Sequence, residues 1–72
     1  GYTQAHLGDA AVSAAEAEHT AAARHSGRVF DTHLENEDQG LRWEVKVDDG
    51  TTVHEVQIDA KSGAVASDHP DD

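Results

Sequence analysis

Metal ligation and proton transfer are the chemistries this sequence could offer, since 6 His and 15 Asp and Glu are spread over 72 residues. Zinc-peptidase catalysis needs His-Glu-x-x-His on a helix, so that both imidazoles meet the ion while the Glu serves as general base. The nearest string, His54-Glu55-Val56-Gln57-Ile58, lacks the second His and alternates like a strand. Nucleophilic catalysis fares no better. Ser13, Ser26, Ser62 and Ser67 fall at a cap, at turns or in the tail, where hydroxyls find local partners, and no glycine-flanked elbow surrounds them. Gly-rich phosphate cradles are absent as well. The chain therefore reads as a non-enzyme with no catalytic residue and no cofactor.

Ligation is what remains. His6, His19, His25 and His69 are scattered over the lead-in, a helix and the tail, and are expected in solvent. His54 is expected at the edge of the core, in a slot an aromatic ring could fill. The candidate metal or proton-sensitive row is His33 with Glu44 and Glu55, because one imidazole and two carboxylates suit a divalent ion. The plain alternative is an ordinary solvated sheet face. Which of the two holds depends on the elements that carry these residues.

Residues 1–11 show no sustained periodicity and read as a poorly ordered lead-in. Ser13 with Glu16 three residues on forms a capping box, with Val12 at the staple position, so a helix is predicted from Ala14 to about His25. Gly27 is expected to end it as the left-handed residue. The face carrying Ala17, Ala21 and either Ala14 or the stem of Arg24 is small and smooth, suited to close approach to a sheet. Arg28 to Asn36 is the next strand, with Phe30, Thr32 and Leu34 on its apolar side. Leu41, Trp43, Val45 and Val47 alternate at period two, and after Asp49-Gly50 the alternation resumes at His54, Val56 and Ile58, which reads as a β-hairpin. Ala64 to Ala66 is a short last strand after the Asp59 turn. The fold class is α+β: one N-terminal helix packed on a three- to four-stranded antiparallel β-meander. The domain spans residues 12–67 and an acidic, frayed tail spans 68–72. The core is expected to hold Phe30, Leu34, Trp43, Val45, Val47, Val56 and Ile58. An Ala-rich helix covers little, so Leu41 or Trp43 is expected near an edge as a contact point.

Registers follow from the pleat, which must place apolar partners on one face. Pairing Leu34 with Trp43 and Thr32 with Val45 also sets Glu35 against Arg42, His33 against Glu44 and Asp31 against Lys46. Three complementary pairs, each worth about 0.2–1 kcal/mol, favour that register. A two-residue Asp49-Gly50 loop pairs Val47 with Thr52, Val45 with His54, Trp43 with Val56 and Leu41 with Ile58. In that register His33, Glu44 and Glu55 form one transverse row.

Composition excludes several partners. With 5 Lys and Arg against 15 acidic residues and a net charge of -10, the chain has no basic cluster to neutralise a phosphate backbone or an acidic lipid surface. No apolar run approaches the roughly 20 residues of a membrane-spanning helix, and no basic-then-apolar leader is present. Beginning at Gly1, the sequence is compatible with being a mature or excised piece of a longer chain. With no Cys there is no disulfide to reinforce a thin core, so stability is expected to be marginal or helped by self-association.

From the capping box through Gly27-Arg28-Val29 to WEVKVDDGTTVHEVQIDAKSGAVAS, the chain resembles a PepSY domain over roughly Val12 to Ser67. The most specific part is Val56-Gln57-Ile58-Asp59-Ala60-Lys61-Ser62-Gly63-Ala64-Val65, similar to the family's ending of hydrophobic-x-hydrophobic-Asp-Ala-x-Thr/Ser-Gly-x-Val. Trp43-Glu44-Val45-Lys46-Val47 matches its aromatic-x-Val-x-Val strand. His54 departs from the usual aromatic, and His19-Thr20 replace bulkier apolar helix residues. The resemblance implies an extracytoplasmic module of bacterial secreted or cell-envelope proteins, related to the propeptides of secreted metallopeptidases and able to restrain or bind a peptidase. It offers no catalytic residue to carry over. The alternative is a structural or sensory envelope module that self-associates or binds cations through its acidic sheet face.

Overall fold

Ser13 begins the ordered domain by satisfying donors that a helix start leaves open. In the computed structural model, which describes residues 11–38 and 40–71, its Oγ accepts from the Glu16 amide at 3.1 Å while Glu16 Oε1 accepts from the Ser13 amide at 2.8 Å. Helix α1 runs Ala14–His25 and buries Ala17 and Ala21 completely against the sheet. The left-handed residue at its end is Ser26, at φ 51°, one position earlier than expected. Gly27 is needed for space instead. A Cβ there would lie 2.7 Å from the Asp48 carbonyl oxygen and 2.7 Å from Val47 Cγ1.

Four strands follow, β1 Arg28–Glu37, β2 Gly40–Asp48, β3 Val53–Asp59 and β4 Val65–Pro70, in one antiparallel meander ordered β1-β2-β3-β4. One helix followed by this sheet is the expected α+β arrangement. The expected lead-in lies, apart from Ala11, outside the described residues. The expected tail does not fray at Ser67, since β4 continues to Pro70 and pairs Val56 with Asp68, Glu55 with His69 and His54 with Pro70. An edge strand tolerates that proline, having no described strand on its outer side.

The β1–β2 register agrees with the sequence reading, with Leu34 opposite Trp43, His33 opposite Glu44 and Asp31 opposite Lys46. Below Asp31 it departs. A bulge at Phe30 lets Val29 pair with Val47 and turns the Phe30 ring outward, 55% exposed, so Val29 takes the core position expected of Phe30.

The β2–β3 register differs by two residues, with Trp43 opposite Ile58, Val45 opposite Val56 and Val47 opposite His54. Asp49 is the cause. Its Oδ1 accepts from the amides of Thr51 and Thr52, both at 2.8 Å, which widens the loop to Asp49–Thr52. Parity survives a two-residue shift, so the apolar faces still agree. The core is Trp43, Val45, Val47, Val56, Ile58 and Ala60 of the sheet side with Ala17 and Ala21 of the helix. Trp43 is 5% exposed on an inner strand, not an edge contact, and its Nε1 donates to the Val12 carbonyl at 2.7 Å. Leu41 is half-buried and packs against the core.

Candidate functional site

The helix covers one face of the sheet and leaves the other to a connected set of polar side chains. On that open face His33 Nε2 lies 2.8 Å from Glu35 Oε2 and 3.0 Å from Glu44 Oε1. Gln57, which occupies the row position expected of Glu55, donates to Glu44 Oε2 at 3.4 Å and accepts from Arg42 at 3.0 Å. Glu55 instead faces Lys46, and reaches Glu44 as a diagonal neighbour. Burial raises the Glu44 pKa, hydrogen bonding with Glu55 and its charge raise it further, and His33 opposes them. One ligand atom from each of His33, Glu35 and Glu44 falls within 4.8 Å of the others. The expected row is thus corrected to His33, Glu35 and Glu44, with Glu55 beside it.

A second polar group closes the helix-covered face at the C-terminal end of α1. Parity places His54 of β3 and Asp68 of β4 on that face, where the last helical turn presents Arg24 and His25. The His25 and His54 rings stack with centroids 3.7 Å apart and planes within 8°. Each ring has its own carboxylate: His25 Nε2 lies 2.9 Å from both Asp68 oxygens, and His54 Nε2 lies 2.7 Å from Asp49 Oδ2. Arg24 Nε donates to Asp68 Oδ2 at 2.7 Å. Burial alone would raise the Asp68 pKa, but hydrogen bonds from Arg24 and His25 outweigh it and hold the carboxyl below its ordinary value. The amide of Thr52, then the His54 ring and the Thr51 amide, hold Asp49 well below the usual carboxylate range.

The outer side of β1 is an open sheet edge, since no described strand pairs there. Phe30 projects from it, and with Glu18, Val29, Asp31 and Thr32 lines a shallow groove of about 350 Å³ between strand and helix.

The family model for the peptidase propeptide and YPEB domain, PepSY, matches residues 11–69. The chain belongs to the PepSY family. Neither the curated proteins nor the solved structures offer a significant match. PepSY is a family of propeptide-like regulatory modules, generally non-catalytic, so membership suggests a module of that kind. None of the described helices is long and apolar enough to cross a membrane.

Within this PepSY domain, His33 and Glu44 meet as the sequence reading expected, while Glu55 does not share their row. His25 and His54 were not expected to meet. Asp68, the carboxylate on His25, falls in the stretch expected to be a tail, and the two histidines lie 29 positions apart in the chain. The usable signal was parity: extending β4 two residues past Ala66 sets Asp68 beside Val56 on the helix-covered face. Phe30 at the edge gave no signal at all, because its alternation with Thr32 and Leu34 reads as core.

Proposed function

We propose that this PepSY domain is a non-catalytic, extracytoplasmic binding module that restrains a secreted peptidase through the open edge of β1. The observation that carries the reading is that edge with Phe30 on it, the exposed large apolar side chain among the described residues. Family membership supports the regulatory character. An extended segment of the peptidase would add as a fifth strand beside the four, gaining backbone hydrogen bonds along β1 while Phe30 seats in a pocket of the partner. Blocking would be steric. The acidic balance of the chain favours a partner with a basic surface near its cleft.

Inhibition assays of secreted metallopeptidases with the purified chain test this directly. Slowed hydrolysis is expected, and Phe30→Ser, which leaves the core untouched, is expected to weaken inhibition at least about tenfold, as for a hot-spot anchor. No binding to any such peptidase, or full inhibition by the variant, would overturn the reading.

A second reading has its own observation. The convergence of His33, Glu35 and Glu44 on the open face favours a cation-binding or sensory envelope module. Titration with calcium is then expected to move the His33 ring resonances; stationary resonances exclude it.

A further inference from the structure

The polar corner at the end of α1 goes beyond peptidase restraint. Its side chains come from three elements and meet where they are half-buried: His25 from the last helical turn, His54 from β3 and Asp68 from β4. One ligand atom from each lies within 4.8 Å of the other two. We propose that His25, His54 and Asp68 form a binding site for one divalent transition-metal ion of the zinc class.

Donor chemistry selects the ion. Two imidazoles and one carboxylate suit Zn²⁺, Cu²⁺ and Ni²⁺, whereas Ca²⁺ and Mg²⁺ require oxygen-rich shells. Three protein ligands leave a position for water or for a side chain of a partner. The residues are already assembled. His25 Nε2 faces both oxygens of Asp68 at 2.9 Å, and the ion takes the place of the proton they share. Imidazole lone pairs lie in the ring plane, so the two rings, now stacked at 3.7 Å in nearly parallel planes, must swing apart to aim at one ion. Asp49, 2.7 Å from His54 Nε2, holds that ring in the manner of the outer carboxylates that orient metal-bound histidines. Arg24 is the competitor on Asp68 Oδ2, but its side chain is about half exposed and can swing into solvent, leaving both oxygens to the ion.

The open-face cluster differs in kind. It has one imidazole and two carboxylates, with Asp31 3.8 Å from His33 as a further acidic neighbour, so the two sites answer to different variants.

The test is titration of the untagged chain with Zn²⁺ alone, followed by calorimetry and by the imidazole signals in ¹⁵N-resolved spectra. The expected result is saturable binding of one ion per chain, with His25 and His54 signals moving together and those of His33 and His69 unmoved. Asp68→Asn keeps the shape of the corner and His54→Gln keeps a polar side chain. Circular dichroism confirms that each is folded, and each is expected to weaken binding at least about tenfold, since even an outer-shell partner is worth that much. His33→Gln is expected to bind as the parent does, and Ca²⁺ to give no saturable response at the corner. Absence of saturable zinc binding overturns the proposal. So does binding that survives in a folded His25→Gln/His54→Gln variant, or binding that His33→Gln abolishes.

Discussion

Thr32 illustrates how one side chain can oppose the fold it belongs to. Its Oγ1 is buried without a hydrogen-bond partner among the described residues, and a buried hydroxyl left unpaired costs about 1–3 kcal/mol. Thr32→Val keeps the β-branched shape and removes the orphan, so chemical denaturation should show it more stable by about 1 kcal/mol. A loss of stability would mean that the hydroxyl has a partner after all. Asp59 acts in the opposite sense. Its Oδ1 accepts from the Lys61 amide at 2.7 Å and the Ser62 amide at 3.0 Å, and these bonds, Lys61 first, lower its pKa in the folded state. A depressed carboxylate contributes stability above its unfolded pKa of about 3.9, and the contribution disappears as pH falls through the lower folded value. The stability gap between the parent and Asp59→Ala should therefore be level from about pH 7 to 5 and narrow below about pH 4. A gap that persists undiminished at pH 3 would refute this account of the turn.

Among the elements, the junction of α1 and β1 separates two reasons for a glycine. The sequence pattern expected Gly27 to supply a left-handed backbone, but Ser26 does so, and Gly27 supplies room for β2. Gly27→Ala should then cost about 1–3 kcal/mol through overpacking against the end of β2. Ser26→Gly should stabilise by up to about 1 kcal/mol, because glycine has no left-handed penalty. Thermal midpoints moving in opposite directions distinguish this from the sequence expectation, under which Ser26→Gly is inert. The same contrast explains what was legible. The register of β1 on β2 could be read because three charge pairs and the apolar face agree on it. That of β2 on β3 could not, because the Asp49 carboxylate caps Thr51 and Thr52 and favours a four-residue loop over the tight turn that Asp-Gly suggests. The open-face cluster was found in part, through the register that was right. The corner of His25, His54 and Asp68 was missed, because it needs the end of β4 and the end of α1 in one place, and no spacing in the chain encodes that meeting.

For the whole molecule, the controlling quantities are a thin core and a large like charge. Valine, isoleucine and alanine make up most of the core beside one tryptophan, so burial leaves a small margin over conformational entropy. Against that margin stands a net charge of -10. Among the described residues Lys46 pairs with Asp71 and Arg24 with Asp68, but 5 cations cannot offset 15 acidic residues, and folding brings those closer than in the extended chain. Self-repulsion should therefore outweigh the ion pairs. Screening sets in as the Debye length falls from about 30 Å at 0.01 M salt to about 8 Å at 0.15 M. Over that range the thermal midpoint should rise, and it should rise equally for sodium and choline chlorides, because screening does not depend on the identity of the cation. A midpoint that falls would show that the ion pairs dominate instead. A rise seen with sodium and not with choline would show that a cation binds the acidic surface specifically, and that the salt response does not come from the charge of the whole chain alone.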